Sequence, residues 1–157
     1  MIRLIKKEDN IDIAALIRTV LDEYQVPKKG TAYEDPQLDA MFETYQKKQS
    51  AYFVLELSGK IVGCAGIAPL QNASFEICEL QKMYFLSSVR GKGWGAQMMD
   101  VCLNKAREIG FQKCYLETLP TMDKAQNLYL KSGFKYLSKP MGSTGHSACP
   151  IWMLKEL

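Results

Sequence analysis

The chain has one histidine in 157 residues, and its five cysteines are odd in number and far apart. Zinc centres draw on closely spaced Cys and His pairs, so no metal site is expected. Cys64, Cys78, Cys102, Cys114 and Cys149 read instead as buried thiols in mostly apolar runs. His146 precedes Cys149 by three residues, a spacing that could pair a thiol with a base. The surrounding Ser, Gly and Pro residues make that stretch a loop in which the spacing is incidental.

Long apolar runs are also missing. The longest, around Ile61–Leu70, is half the roughly 20 residues a membrane span needs and contains Gly and Pro, so no membrane role is expected. The first residues are too short in apolar length for a signal peptide and turn acidic too early for a transit peptide, which makes the cytoplasm the expected compartment. Excess charge of one sign is absent as well. Twenty Lys and Arg against 17 Asp and Glu leave +3, too little and too dispersed for a nucleic-acid binder, so any anion site must be local. With no internal repeat and no linker, residues 1–157 are expected to form one domain.

Apolar types make up 47% of the chain, enough to bury a core. Ile2–Ile5 reads as a strand, followed by a helix with Ile11, Ala14, Ala15, Ile17, Leu21 and Tyr24 at helical spacing. A loop to Pro36 and a second helix through Leu38, Met41, Phe42 and Tyr45, ending near Lys48, come next. Ala51–Leu57, Lys60–Pro69 and Ser74–Phe85 predict an antiparallel meander. A stripe of Ala96, Met99, Cys102, Leu103, Ala106 and Ile109 predicts a helix stopped by Gly110. Gln112–Thr118 is the next strand, Thr121 should cap a helix ending by Gly133, and Phe134–Leu137 and Ile151–Leu154 close the order. The outcome is an α/β chain with a mixed sheet and helices on both faces.

The strongest chemical signal is Arg90-Gly91-Lys92-Gly93-Trp94-Gly95-Ala96, placed between a strand and a helix. Glycines admit close approach of a ligand, and the free N–H groups of a first helical turn favour an anion. Arg90 and Lys92 would add charge suited to a diphosphate. A Walker-type phosphate loop is absent. Gly91, Gly93 and Ala96 also satisfy a dinucleotide fingerprint, with Glu117 where a ribose-binding acid would stand. The gap from Leu86 to Arg90 and the few later β/α units argue against that rival.

Three segments in order resemble the GCN5-related N-acetyltransferase (GNAT) family. Glu79-Leu-Gln-Lys-Met-Tyr-Phe85 is similar to its fourth strand, the glycine loop to its Q/R-x-x-G-x-G/A pyrophosphate loop, and Leu128-Tyr-Leu-Lys-Ser-Gly-Phe134 to its L-Y-x-x-x-G-F junction. The resemblance implies a GNAT-like fold with the sheet splayed between strands 4 and 5. It also implies acetyl-coenzyme A as cofactor, its pyrophosphate on the Arg90–Ala96 amides, its pantetheine arm against Met83 and Phe85, and a backbone N–H near Met83 or Tyr84 polarising the thioester carbonyl. Trp94 would lie near the diphosphate or adenine, or pack onto its own helix. Many members carry Asn seven residues before the motif tyrosine; here that position is Met122.

A lysine-like amine of pKa near 10.4 is protonated at neutral pH, and stripping its proton costs about 4.6 kcal/mol at pH 7. By resemblance, Glu79 is the candidate base and Tyr129 the candidate acid for the departing thiolate. The acceptor is expected to be a primary amine of a small molecule, peptide or protein. Tyr33, Glu117 and His146 are its candidate contacts, Glu117 alternatively being a plain strand-end carboxylate. A catalytically silent acyl-coenzyme A sensor keeping the loop but not the chemistry is the other reading. The family resemblance makes a homodimer the expected assembly.

Overall fold

The central strands bury both faces, and their sequence reads accordingly as continuous apolar runs whose successive side chains point to opposite sides of the sheet. In β2 (Ala51–Leu57), Ala51, Phe53 and Leu55 pack into one core cluster while Tyr52 and Val54 pack into another on the opposite face. In this computed structural model, which describes all residues 1–157, those two clusters are the two sides of one seven-stranded sheet.

The strands run β1 (Ile2–Leu4), β2, β3 (Lys60–Pro69), β4 (Ile77–Phe85), β5 (Lys113–Thr118), β6 (Lys135–Tyr136) and β7 (Ile151–Glu156). Their spatial order is β1-β2-β3-β4-β5-β7-β6. All neighbours are antiparallel except β4 and β5. That parallel pair shares only three rungs, Ile77 to Glu79 against Lys113 to Tyr115. Beyond them the strands part, leaving Leu80–Phe85 without a partner on that side. This is the splay expected from the family resemblance.

Helix α1 (Asn10–Glu23) buries Ile13, Leu16, Ile17, Val20 and Leu21 against one face. Helix α3 (Trp94–Ile109) buries Met98, Met99, Cys102, Leu103 and Ala106 against the other. It ends at Gly110, where φ is +106° and the N–H donates back to Ala106 and Arg107 carbonyls, a left-handed cap that L side chains resist. No helix is long and apolar enough to cross a membrane.

Three expectations need correction. The second helix is only α2 (Met41–Thr44), preceded by a separate 3-10 turn at Leu38–Ala40. Leu38, Met41 and Tyr45 are buried as their spacing predicts, but the backbone breaks at Ala40, and the Phe42 N–H donates to the Asn10 side chain. A cap from 32 residues away leaves no local signal. Helix α4 (Asp123–Lys131) has Met122, not Thr121, at its cap, with no side-chain cap bond. The third meander strand starts at Ile77 rather than Ser74, because Ser74 and Glu76 make a turn whose Ser74 carbonyl accepts the Ile77 N–H.

Candidate active site

The opened edge of β4 carries a bulge. Cys64 faces Tyr84 and Gly66 faces Gln81, so Lys82 and Met83 together oppose a single residue of β3. Lys82 takes φ +48°, a left-handed conformation costly for a side chain, and its carbonyl accepts the Tyr52 hydroxyl at 2.8 Å. Tyr52 reaches that carbonyl by lying over Gly66, where any Cβ would collide with its ring. The bulge turns the Lys82 side chain to Asp35, 2.7 Å away.

Two cavities flank the splay. The larger, of about 490 Å³, lies against the glycine loop and α4. Arg90, Gly91, Gly93, Gly95 and Ala96 line it, with Met83, Tyr84 and Phe85 from β4. The smaller, of about 60 Å³, is lined by Glu79, Gln81, Glu117 and His146 among others. Met83, Tyr84, Met122 and Tyr129 border both, so the cavities meet there.

The positive charge of the larger cavity comes from an unexpected source. Arg90 is committed elsewhere: its guanidinium forms a two-pronged pair with Glu23 at 2.6 and 2.9 Å, donates to the Phe85 carbonyl and lies over Tyr24. It ties the loop to α1 rather than offering a free cation. Lys92 bends back to the Ser88 carbonyl, and neither it nor Trp94 lines the cavity. Trp94 packs on the core beside α3. Lys124 and Lys131 on α4 line the cavity instead, and no acidic side chain lines it with them. Sequence reading missed both because helix-surface lysines look like solvated charge. Asn127, the amide side chain in the lining, stands near the place where Met122 lacks one.

The smaller cavity holds the titratable groups. Glu79 is 5% exposed. One oxygen accepts from the Gln81 amide at 2.7 Å, and Gln81 in turn accepts the Tyr45 hydroxyl at 2.6 Å. Burial pushes the Glu79 carboxyl up from 4.5 to about 7, outweighing the Gln81 hydrogen bond and the nearby His146 and Lys82. Glu117 accepts hydroxyl hydrogen bonds from Tyr115 at 2.8 Å and from Thr144. His146 sets a ring nitrogen against Asp35 at 3.1 Å. Glu79, Glu117 and His146 bring one donor atom each within 4.8 Å of one another.

Burial tends to raise the Asp35 carboxyl, but His146 and Lys82 outweigh it and hold the group down at about 2. Tyr129 is buried, packs edge-on to Phe134, and burial raises its hydroxyl well above the usual phenol range.

Other expectations fare differently. Tyr33 lies outside both cavities, its hydroxyl 3.4 Å from Asp22 and Lys28 over its ring; Thr31 and Ala32 from the same segment line the small cavity instead. Glu117 lines the small cavity, whereas the glycine loop lines the large one, so the dinucleotide fingerprint loses its ribose acid. Cys149 borders the small cavity, but burial lifts its thiol to about 11, far from a ready nucleophile. The other four cysteines are buried. Gln81 stands two residues from Glu79 on the same strand face and was open to the sequence reading, whereas Lys82, Asp35 and Thr144 escaped it because only the bulge and the late loop bring them to the site.

The acetyltransferase (GNAT) family model matches residues 15–134. Over its whole length the chain is 42% identical to an uncharacterized N-acetyltransferase, YjgM, of Escherichia coli strain K12, spanning 95% of that protein. Its fold superposes on a GNAT-family acetyltransferase from Staphylococcus aureus Mu50 with a TM-score of 0.88 at 17% identity, over 99% of this chain and 98% of that one. A GNAT superfamily phosphinothricin acetyltransferase from Sinorhizobium meliloti, solved in complex with AcCoA, aligns at a TM-score of 0.79 and 19% identity, over 100% of this chain and 88% of that one.

Proposed function

Because the chain belongs to the acetyltransferase (GNAT) family, we propose that it transfers the acetyl group of acetyl-coenzyme A to a primary amine. The observation that carries this reading is the meeting of two unlike cavities at Tyr129 and the β4 bulge. One is roomy, cationic and bordered by a helix N-terminus; the other is small and holds a buried carboxyl.

The larger cavity fits the carrier. Lys124, Lys131 and the first-turn amides of α3 suit a diphosphate, and the unpaired edge of Leu80–Phe85 suits the amides of a pantetheine arm. Bound there, the thioester supplies an activated acyl carbon: its C–S bond breaks as the amine N–C bond forms.

Glu79 takes the amine proton, directly or through a water. At an ordinary carboxyl value it would lie about 6 pH units below a lysine-like amine; burial narrows the gap to about 3.5, on the order of 3 kcal/mol less to supply. Gln81 orients the accepting carboxylate from the other side. Tyr129, bordering both cavities, gives its proton to the departing sulfur. An N–H at Met83 or Tyr84, beside the bulge, receives the developing oxyanion.

The test is thiol release from acetyl-coenzyme A over a panel of amines with wild type, Glu79→Gln and Tyr129→Phe. Turnover lost in both variants supports the enzyme. Tight binding without turnover on any amine would instead mark an acyl-coenzyme A sensor. NADH raising the melting temperature while acetyl-coenzyme A does not would revive the dinucleotide reading.

A further inference from the structure

Size, closure and charge of the smaller cavity together select among amines. We infer that the acceptor is a short cationic primary amine that enters whole, not the end of a polypeptide and not an amino acid presenting its own carboxylate. This rests on the acetyl-transfer reading above.

The cavity measures about 60 Å³. Roughly 10–15 Å³ in this measure admits one water, so the space takes on the order of four to six non-hydrogen atoms. A peptide would need an open trough along which several residues could lie, each advancing about 3.3 Å.

The late loop closes that route. It is stitched to β5 by the Met141 N–H donating to the Tyr115 hydroxyl at 3.2 Å and by Thr144 donating to Glu117. On the opposite side it is stitched to the segment after α1, with the Ala148 N–H on the Gly30 carbonyl at 3.2 Å and His146 on Asp35. The loop thus spans from β5 to the N-terminal segment, and the cavity is lined by all three, by Glu117 and Thr118 of β5, His146 and Cys149 of the loop, and Thr31 and Ala32 of the segment.

Charge decides the rest. Glu79 and Glu117 face the same small space, whose remaining wall sets leucine, methionine and tyrosine side chains beside Thr31, Gln81 and Thr118. The basic side chains of the lining are Lys82 and His146, and both are engaged by the single carboxylate of Asp35, at 2.7 and 3.1 Å. An ammonium therefore finds two carboxylates, and an alkyl chain finds an apolar wall. A substrate carboxylate finds no free cation and two like charges.

The experiment compares butylamine, β-alanine and a tetrapeptide with a free N-terminus and an internal lysine as acceptors, by thiol release from acetyl-coenzyme A. Butylamine should exceed β-alanine in kcat/KM by roughly tenfold or more, the scale of one charge-assisted hydrogen bond, with no measurable turnover of the tetrapeptide. Glu117→Gln should raise KM for butylamine more than it lowers kcat. Independently of turnover, butylamine should raise the melting temperature of the coenzyme A-bound wild type, and β-alanine should not. The tetrapeptide or β-alanine matching butylamine overturns the inference and leaves acetyl transfer standing. If acetyl-coenzyme A binds and no acceptor of any kind is turned over, the transfer reading fails and this inference with it.

Discussion

Glu79 lies opposite Tyr115 on the last rung shared by β4 and β5. The carboxyl therefore sits at the vertex where the sheet opens, buried by the closed part and facing the open part. Tyr115 also steadies the far wall, since its hydroxyl donates to Glu117 and accepts from Met141.

Glu79→Gln should lower kcat by roughly 100- to 10,000-fold, the range for removal of a positioned base. In the wild type, kcat/KM should rise with pH through about 7 as Glu79 ionises, and the variant should lose that limb. A carboxyl raised in the folded state binds protons that the unfolded chain has released, so stability falls as pH climbs from about 4.5 to about 7. Glu79→Gln should accordingly be the more stable protein at pH 8, by up to the order of 3 kcal/mol, and lose that advantage by pH 4.5. Melting curves across pH check this; a wild type at least as stable as the variant at pH 8 contradicts it.

Tyr129→Phe should behave in the opposite way. The ring packing on Phe134 remains, and no protein partner of the hydroxyl is lost. Stability should change by less than about 0.5 kcal/mol while kcat drops roughly 100-fold. Paired denaturation and steady-state measurements separate the two effects.

Asp35→Asn leaves Lys82, whose side chain is 8% exposed, without its counter-charge. The cost should be roughly 3 kcal/mol or more, as for other broken buried pairs. Because Asp35 is held down at about 2, its contribution is complete above about pH 4 and disappears as pH falls towards 2. Acid unfolding of the variant should lack that component.

Arg90 and the α4 lysines should separate by readout. Lys124→Ala and Lys131→Ala should each raise KM for acetyl-coenzyme A roughly two- to fivefold, less so at high salt, with the melting temperature unchanged. Arg90→Ala should raise KM and also lower the melting temperature, because its pair with Glu23 joins the loop to α1. In a double-mutant cycle with Glu23→Ala the two losses should overlap rather than add.

Several features were legible before any coordinates because their causes are local. The extended apolar runs Ala51–Leu57 and Lys60–Pro69, parted by the Ser58-Gly59 turn, give strands with those bounds, since run and turn are both local signals. The glycine loop and the apolar stripe after it define α3 because cap, dipole and stripe lie within one stretch. The amides of the glycine loop were therefore nameable as a candidate anion site, whereas Glu79 and Tyr129 were nameable only through the family resemblance of their segments.

What the chain alone determined is thus the element order, the loop that faces the larger cavity and the strand that bears Glu79. Only the tertiary structure decided that Arg90 is spent on Glu23, that Lys124 and Lys131 supply the charge of the larger cavity, and that Asp35 and Thr144 hold Lys82 and Glu117 in the wall of the smaller one. The physical reason is range: backbone preference acts over a few residues, whereas a contact such as that of His146 with Asp35 joins positions 111 apart and exists only once the sheet has formed.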